Sequence, residues 1–110
     1  MGRQKYKVGT DDEYDDAAAF RSANPQVPAD YRIDPEFNCL TNAENLADMS
    51  PSLVYTEGWC RFRGEKKWGS HAWCQTVEGV IVDPYFEWKF GEKTRLLEYK
   101  PAGDDESPFD

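Results

Sequence analysis

The sequence predicts an α+β fold, with N-terminal helices packed on a small antiparallel sheet. Two observations lead to this class. Apolar residues recur at helical spacing in the first half of the chain. The stretch after Pro51 is instead rich in aromatic and β-branched residues and is divided by glycine-containing turns. Helices followed by an antiparallel run of strands are typical of the α+β class.

Length and charge set the limits of this domain. The 110 residues suffice for one domain with one hydrophobic core. The net charge is -8, and much of the acidity lies in residues 11–16 and 104–110. We predict a flexible arm over 1–12, a single domain over 13–100 and a solvated acidic tail over 101–110. The acidic balance argues against a nucleic-acid partner and against an anionic membrane surface.

Cysteine usage and the N-terminal sequence predict the compartment. There are three cysteines and no CxxC pair, and the N-terminus has no apolar stretch that could act as a signal peptide. No segment approaches the roughly 20 apolar residues that span a bilayer. We therefore expect a cytoplasmic protein with free thiols and no cofactor.

Two helices are predicted ahead of the sheet. The first covers Glu13–Ala23 and ends at Asn24-Pro25. The second begins at Cys39 with Asn38 as its N-cap, although Asp34-Pro35 could start it one turn earlier. Its apolar face consists of Leu40, Ala43, Leu46 and Ala47, and Ser50-Pro51 ends it.

Four strands follow in the remainder of the domain. They are predicted over Leu53–Arg63, His71–Val77, Val80–Asp83 and Arg95–Tyr99. The first two are joined by a loop over Gly64–Ser70, and the second and third by a tight turn at Glu78-Gly79.

Three residues in these elements have the chemistry of a nucleophilic site. Cys39 lies in the first turn of a helix, where the N-terminal dipole and a nearby imidazole lower a thiol pKa and free amides can bind an oxyanion. The single histidine, His71, begins a strand that can lie against that helix. Asp83 ends the next strand and is the candidate for orienting the ring.

The strand register is the weak point of this hypothesis. A two-residue turn at Glu78-Gly79 puts Asp83 opposite Cys74, three residues from the level of His71. The carboxylate reaches the ring only if the chain bends at Asp83-Pro84, or if a bulge or longer turn shifts the pairing. Alternation also puts Cys74 on the strand face opposite to His71, which argues against a zinc site using both.

These residues lie in four short motifs, which are Cys39-Leu40-Thr41-Asn42-Ala43, Tyr55-Thr56-Glu57-Gly58-Trp59, His71-Ala72-Trp73 and Val82-Asp83-Pro84-Tyr85. Together they resemble the papain-like and transglutaminase-like cysteine fold, in particular small bacterial and phage proteins with Cys-x-x-Asn-Ala, Tyr-x-Glu-Gly, His-Ala-Trp and Asp-Pro-Thr. The resemblance covers residues 38–88. It implies that Cys39 is the nucleophile, His71 the base and Asp83 the orienting acid. Tyr85 stands where that pattern has threonine, and no upstream glutamine is assignable to an oxyanion hole.

The same motifs supply candidate substrate-binding residues. Tyr55, Glu57 and Trp59 alternate on one strand face, and the resemblance implies that they line the site together with Trp73. The alternative puts Tyr55 and Trp59 in the core and Glu57 in a local salt bridge.

Three functions remain open from the sequence. The first is a cysteine-dependent hydrolase or acyltransferase acting on an amide, ester or isopeptide carbonyl of a protein or peptide-like substrate. The second is a phage or mobile-element interaction protein that uses the fold as a non-catalytic scaffold, with Trp59, Trp68 and Trp88 as surface candidates. The third is an acidic nucleic-acid mimic.

Overall fold

A computed structural model describes Ala18–Ala19 and residues 27–109. Strand β1 covers Ala18–Ala19, helix α1 Cys39–Met49, β2 Leu53–Phe62, β3 Gly69–Thr76, β4 Ile81–Val82, helix α2 Pro84–Phe90 and β5 Leu97–Pro101. A 3-10 helix over Gly91–Leu96 joins α2 to β5. All strand pairs are antiparallel, in the order β1-β5-β2-β3-β4. The α+β class is confirmed, and no helix among the described residues combines the length and apolarity that a membrane crossing requires.

The first predicted helix is wrong where the structure describes it. Within Glu13–Ala23, residues Ala18 and Ala19 form β1 and pair with Tyr99 and Glu98 of β5. The alanine-rich composition favours a helix. The unpaired edge of β5, however, offers backbone donors and acceptors, and pairing there outweighs the local propensity. The rest of that predicted helix and the arm over 1–12 lie outside the described residues.

Helix α1 begins where its capping signal predicts. The Asn38 side chain accepts a hydrogen bond from the Thr41 amide at 3.1 Å, so Cys39 is the first helical residue. Leu46 and Ala43 are buried against the sheet. The earlier start at Asp34-Pro35 does not occur, because Pro35 lies in a separate turn that the Phe37 amide closes by donating to the Asp34 carbonyl at 3.0 Å.

The hairpin between β3 and β4 has a longer turn than predicted. Thr76 and Val80 pair through a 3.0 Å backbone bond and enclose three residues, among them Gly79 with a positive φ of 92°. Val82 therefore lies opposite Cys74, the place predicted for Asp83. The shift moves Asp83 one residue closer to the level of His71.

Helix α2 is an element that the sequence analysis did not predict. Asp83 is its N-cap and accepts a hydrogen bond from the Phe86 amide at 3.2 Å, and Pro84 takes the first helical position. Proline suits that position because its fixed φ is helical and no amide partner is needed there. The chain therefore turns away from the sheet at Asp83 instead of extending β4.

The two helices cover opposite faces of the sheet. Ala72 and Cys74 of β3 pack with α1, whereas Trp73 and its neighbours pack with Phe86 of α2. Gly58 in β2 allows this close packing, since a Cβ there would lie 2.2 Å from the Lys100 carbonyl oxygen and 2.8 Å from the Trp73 ring.

The segment predicted as an acidic tail lies against the domain. Its carboxylates at Asp104, Asp105 and Glu106 are exposed, as expected for solvated charges. Pro108 is nevertheless buried, and Phe109 packs against the cluster beneath α1. The folded unit therefore extends beyond residue 100.

Candidate active site

The short strand β4 creates the place where the candidate residues meet. It pairs with β3 at Cys74 and Gln75, so the edge of β3 from Gly69 to Trp73 has no strand partner on that side within the described part of the chain. The first residue of α1 lies beside this edge, because the backbone of Ala72 is close enough to the Cys39 thiol to lower its pKa. The thiol thus lies beside the residue that follows His71.

His71 is held by a carboxylate on one ring nitrogen and by aromatic rings on its faces. Both His71 and Asp83 are 1% exposed, and His71 Nε2 lies 2.7 Å from Asp83 Oδ2. The ring stacks on Phe86 with centroids 3.7 Å apart, and Trp73 stacks at 5.7 Å. Because an ionised carboxylate only accepts hydrogen bonds, Nε2 is the donor.

This tautomer leaves His71 Nδ1 for the thiol. Nδ1 is buried and has no close hydrogen-bond partner. Besides Asp83, the group that acts on the ring through charge and hydrogen bonding is Cys39. The thiol and the imidazole are therefore neighbours without a fully formed hydrogen bond, which is common for catalytic pairs without substrate.

The electrostatics of the pair favour a thiolate and an imidazolium. Burial acts to raise the pKa of Cys39, but the polarity and charge of the neighbouring His71 ring, with the Ala72 backbone, lower it below its ordinary value. Burial acts to lower the pKa of His71, but the charge and hydrogen bond of Asp83 and the nearby thiol raise it to about 9. Both shifts have the direction that nucleophilic catalysis by a thiol requires.

The thiol pKa of the other two cysteines is shifted in the opposite direction. All three thiols are free, but only Cys39 is half-exposed, whereas Cys60 and Cys74 are buried. Burial and then the charge of Asp83 raise the pKa of Cys74 to about 12, and burial raises that of Cys60 well above its ordinary value. Cys39 is therefore the one reactive thiol that this environment favours.

Asp83 carries more hydrogen bonds than the sequence analysis predicted. Its Oδ1 accepts from the Phe86 amide, and its Oδ2 accepts from both His71 Nε2 and the Tyr99 hydroxyl, the latter at 2.6 Å. These donors compensate for burial of the carboxylate. Tyr99 was predicted only as a strand residue, and no local sequence signal indicates its contact with Asp83.

Asn42 is a second residue that sequence reasoning left without a role. Its buried amide accepts from the Asp34 amide at 2.9 Å and donates to the carbonyls of Asp34, Phe37 and Asn38. These bonds hold the loop that leads into Cys39. The Cys-x-x-Asn spacing was the available signal, since it puts the two residues one turn apart on the helix.

The start of α1 can also stabilise an oxyanion. The amides of Thr41 and Asn42 donate to Asn38, to its side chain and its carbonyl respectively. The amides of Cys39 and Leu40 have no carbonyl partner within the helix and point toward its N-terminal end. A negative oxygen beside the Cys39 sulfur would meet the Cys39 amide.

The predicted substrate-binding residues fall into two groups. Tyr55 is partly exposed, donates to Glu57 Oε2 at 2.8 Å and lies within electrostatic range of Cys39. Trp59 and Trp73 are each 1% exposed. Trp59 belongs to a separate cluster that it forms with Trp68, whereas Trp73 packs in the interior behind His71. In α2, Tyr85 has its pKa raised by burial and by the charge of Cys39. Tyr55 and Tyr85 thus both lie within electrostatic range of Cys39.

The described residues contain no group of three or more His, Cys, Asp or Glu side chains arranged to hold a metal ion. The fold and the site define an α+β protein in which a helix-start cysteine, a strand histidine and a helix-capping aspartate converge. Comparison with protein-family models, curated proteins and solved structures found no match to this chain.

Proposed function

We propose that the protein is a cysteine-dependent hydrolase or acyltransferase that acts on an amide, ester or isopeptide carbonyl. One arrangement carries the proposal. The half-exposed Cys39 thiol lies at the start of α1 beside the His71 imidazole, and His71 Nε2 lies 2.7 Å from Asp83 Oδ2. The four-motif resemblance to the papain-like and transglutaminase-like fold supports it. So does the opposite pKa direction of the two buried cysteines.

The residues divide the reaction between them. The Cys39 thiolate attacks the carbonyl carbon, and the resulting oxyanion receives the Cys39 amide hydrogen bond. The His71 imidazolium then gives its Nδ1 proton to the leaving amine or alcohol as the carbon–heteroatom bond breaks and a thioester forms. Neutral His71 next takes a proton from water or an acceptor amine that attacks the thioester, and the thiolate is released.

Tyr55, Glu57 and Tyr85 are the proposed substrate contacts. All three are partly exposed; Tyr55 and Tyr85 lie within electrostatic range of Cys39, and Glu57 accepts a hydrogen bond from Tyr55. The buried Trp59 and Trp73 act from the interior, by packing within β2, which carries Tyr55 and Glu57, and the neighbouring β3. Free thiols suit the reducing cytoplasm in which we propose that the protein works.

An acyl-enzyme test addresses the proposal directly. With p-nitrophenyl acetate, we expect a burst of p-nitrophenolate that matches the enzyme concentration, and one acetyl group on the Cys39 peptide by mass spectrometry. The burst should be lost in His71→Ala and kept in Cys74→Ala, which removes a buried thiol outside the mechanism. Acetylation confined to lysines, with no burst, would contradict the enzyme proposal.

A second candidate is an interaction protein that keeps the fold without catalysis. The observation in its favour is Trp88, which is 55% exposed and lies 5.8 Å from the Tyr85 ring beside the candidate site. Exposed aromatic residues of this kind are enriched at protein interfaces. A partner captured by the native protein and by Cys39→Ala, but lost with Trp88→Ala, would favour this candidate over the enzyme.

A further inference from the structure

Asp83 receives a hydrogen bond that the Cys-His-Asp set does not explain. The Tyr99 hydroxyl lies 2.6 Å from Asp83 Oδ2, the same oxygen that lies 2.7 Å from His71 Nε2. Tyr99 is fully buried, with a relative exposure of 0%. Two buried donors therefore compete for one buried carboxylate oxygen.

The fold holds Tyr99 in this position from several sides. Strand β5 pairs with β2 so that Tyr99 lies opposite Cys60. The Tyr99 ring packs edge-on against Trp73 with centroids 4.9 Å apart and lies 6.1 Å from the His71 ring. Gly58 permits the close approach of Trp73 and the following residues of β5 to β2. The hydroxyl therefore has little freedom to leave Asp83.

We infer that Tyr99 is a positioning residue of the candidate active site. Its hydroxyl holds Asp83 Oδ2 against His71, and it weakens the hydrogen bond that this oxygen accepts from the imidazole. The inference rests on the proposed function for its consequence in catalysis. Its physical basis is independent of that function. A carboxylate oxygen that already accepts one short hydrogen bond is a weaker acceptor for a second, so the imidazolium is stabilised less than by Asp83 alone.

Tyr99 stays a neutral donor over the whole accessible pH range. Burial, followed by the charge of Asp83, raises the pKa of its hydroxyl far above the ordinary value. The titratable groups that face Asp83 from the elements packed around it are His71 and Cys74 of β3, Cys60 of β2, Tyr99 of β5, Cys39 of α1, Tyr85 and Glu87 of α2, and Tyr31 of the preceding loop. Of these, Tyr99 and His71 form hydrogen bonds to the carboxylate, at 2.6 and 2.7 Å.

The test is an NMR titration of the imidazole. The chain has one histidine, so the ring signal of His71 needs no assignment among several. We would measure it in a Cys39→Ala background, which removes the thiol from the titration. Tyr99→Phe keeps the ring and removes the hydroxyl, and we expect the His71 titration to move up by about half a pH unit or more.

Tyr31→Phe is the matched control. It removes another buried tyrosine hydroxyl, one that donates to the Asn42 carbonyl at 3.0 Å and makes no hydrogen bond to Asp83. We expect a loss of stability with an unchanged His71 titration. A purely structural role of Tyr99 would give the same result as this control.

A second variant covers the case in which Tyr99→Phe does not fold. Replacing Tyr99 by 3-fluorotyrosine keeps the hydrogen bond and makes the hydroxyl a stronger donor, so the His71 titration should move down. An unchanged titration in either folded variant, or a shift opposite to the expected one, would overturn the inference. Native Cys39 would still show its reactivity in that case, so failure here is distinguishable from failure of the proposed function.

Discussion

Phe86 lies flat on His71, with ring centroids 3.7 Å apart and 9° between the ring planes. Phe86 belongs to α2, and Asp83 caps the same helix through the Phe86 amide. One short helix therefore fixes the imidazole both by its edge, through Asp83 Oδ2, and by its face. The orientation of the proposed general base therefore depends on the formation of α2.

The paired shifts predict how stability depends on pH. In Cys39→Ala the thiol no longer titrates and no longer adds to the raised pKa of His71, which is about 9 in the native protein, so the part of the shift that remains reports the pairing with Asp83. A raised folded-state pKa stabilises the protein fully below the ordinary histidine value, and this contribution is lost as pH rises through the folded value.

We therefore expect the unfolding free energy of Cys39→Ala to fall by about 1–3 kcal/mol as the pH rises from about 6.5 toward, but not as far as, the native value of about 9. Urea unfolding at a series of pH values measures this slope. Adding Asp83→Asn removes the carboxylate charge and should flatten it. An equally steep decline in that double variant would show that another group is responsible.

Asn42 predicts a coupling between a buried amide and the nucleophile. Asn42→Ala leaves the amide and carbonyl of Asp34 without their side-chain partner, and we expect a loss of about 2–4 kcal/mol in unfolding free energy. Alkylation of Cys39 at neutral pH should also slow, because the loop before α1 loosens. The control is Asn45→Ala, an exposed residue of the same helix. Equal stability and reactivity in the two variants would refute the role of Asn42.

Gly58 predicts a purely steric effect. A Cβ at this position would overlap the backbone of β5 and contact the Trp73 ring, so Gly58→Ala should cost about 3 kcal/mol or more. Gly69→Ala is the comparison, since its Cβ would have only the Cys60 carbonyl oxygen near it, at 4.0 Å. Denaturant unfolding separates the two, and a neutral Gly58→Ala would mean that β2 and β5 can separate at little cost.

The sequence was informative where the signals are local. Asn38 and Cys39 mark the helix start because capping depends on residues three apart. Strands β2 and β3 follow from their aromatic and β-branched composition. The same local chemistry was present at Asp83-Pro84, where an N-cap aspartate and a first-turn proline start α2. If Asp83-Pro84 is taken as the end of a strand, the Asp83 carboxylate does not reach the level of His71.

Other features depend on contacts that no local pattern encodes. Tyr99 meets Asp83 only because β5 pairs with β2, across a long separation in sequence. Tyr55 and Trp59 share a strand face, yet Tyr55 is partly exposed beside Cys39, whereas Trp59 is covered by Trp68 and Ala102. The alternation of side chains along a strand predicts which face of the sheet a residue lies on. It does not predict which other residues cover that part of the face.

The most direct test of the account is the pH dependence of Cys39 alkylation by iodoacetamide, with peptide mass spectrometry separating Cys39 from Cys60 and Cys74. In the native protein we expect the thiolate to react with an apparent pKa below that of an ordinary thiol, because His71 stabilises it. In His71→Ala burial and the charge of Asp83 remain, and both raise the pKa of Cys39. The profile should therefore move above the ordinary value. A native Cys39 that is inert, or profiles that coincide in the two proteins, would contradict the central claim.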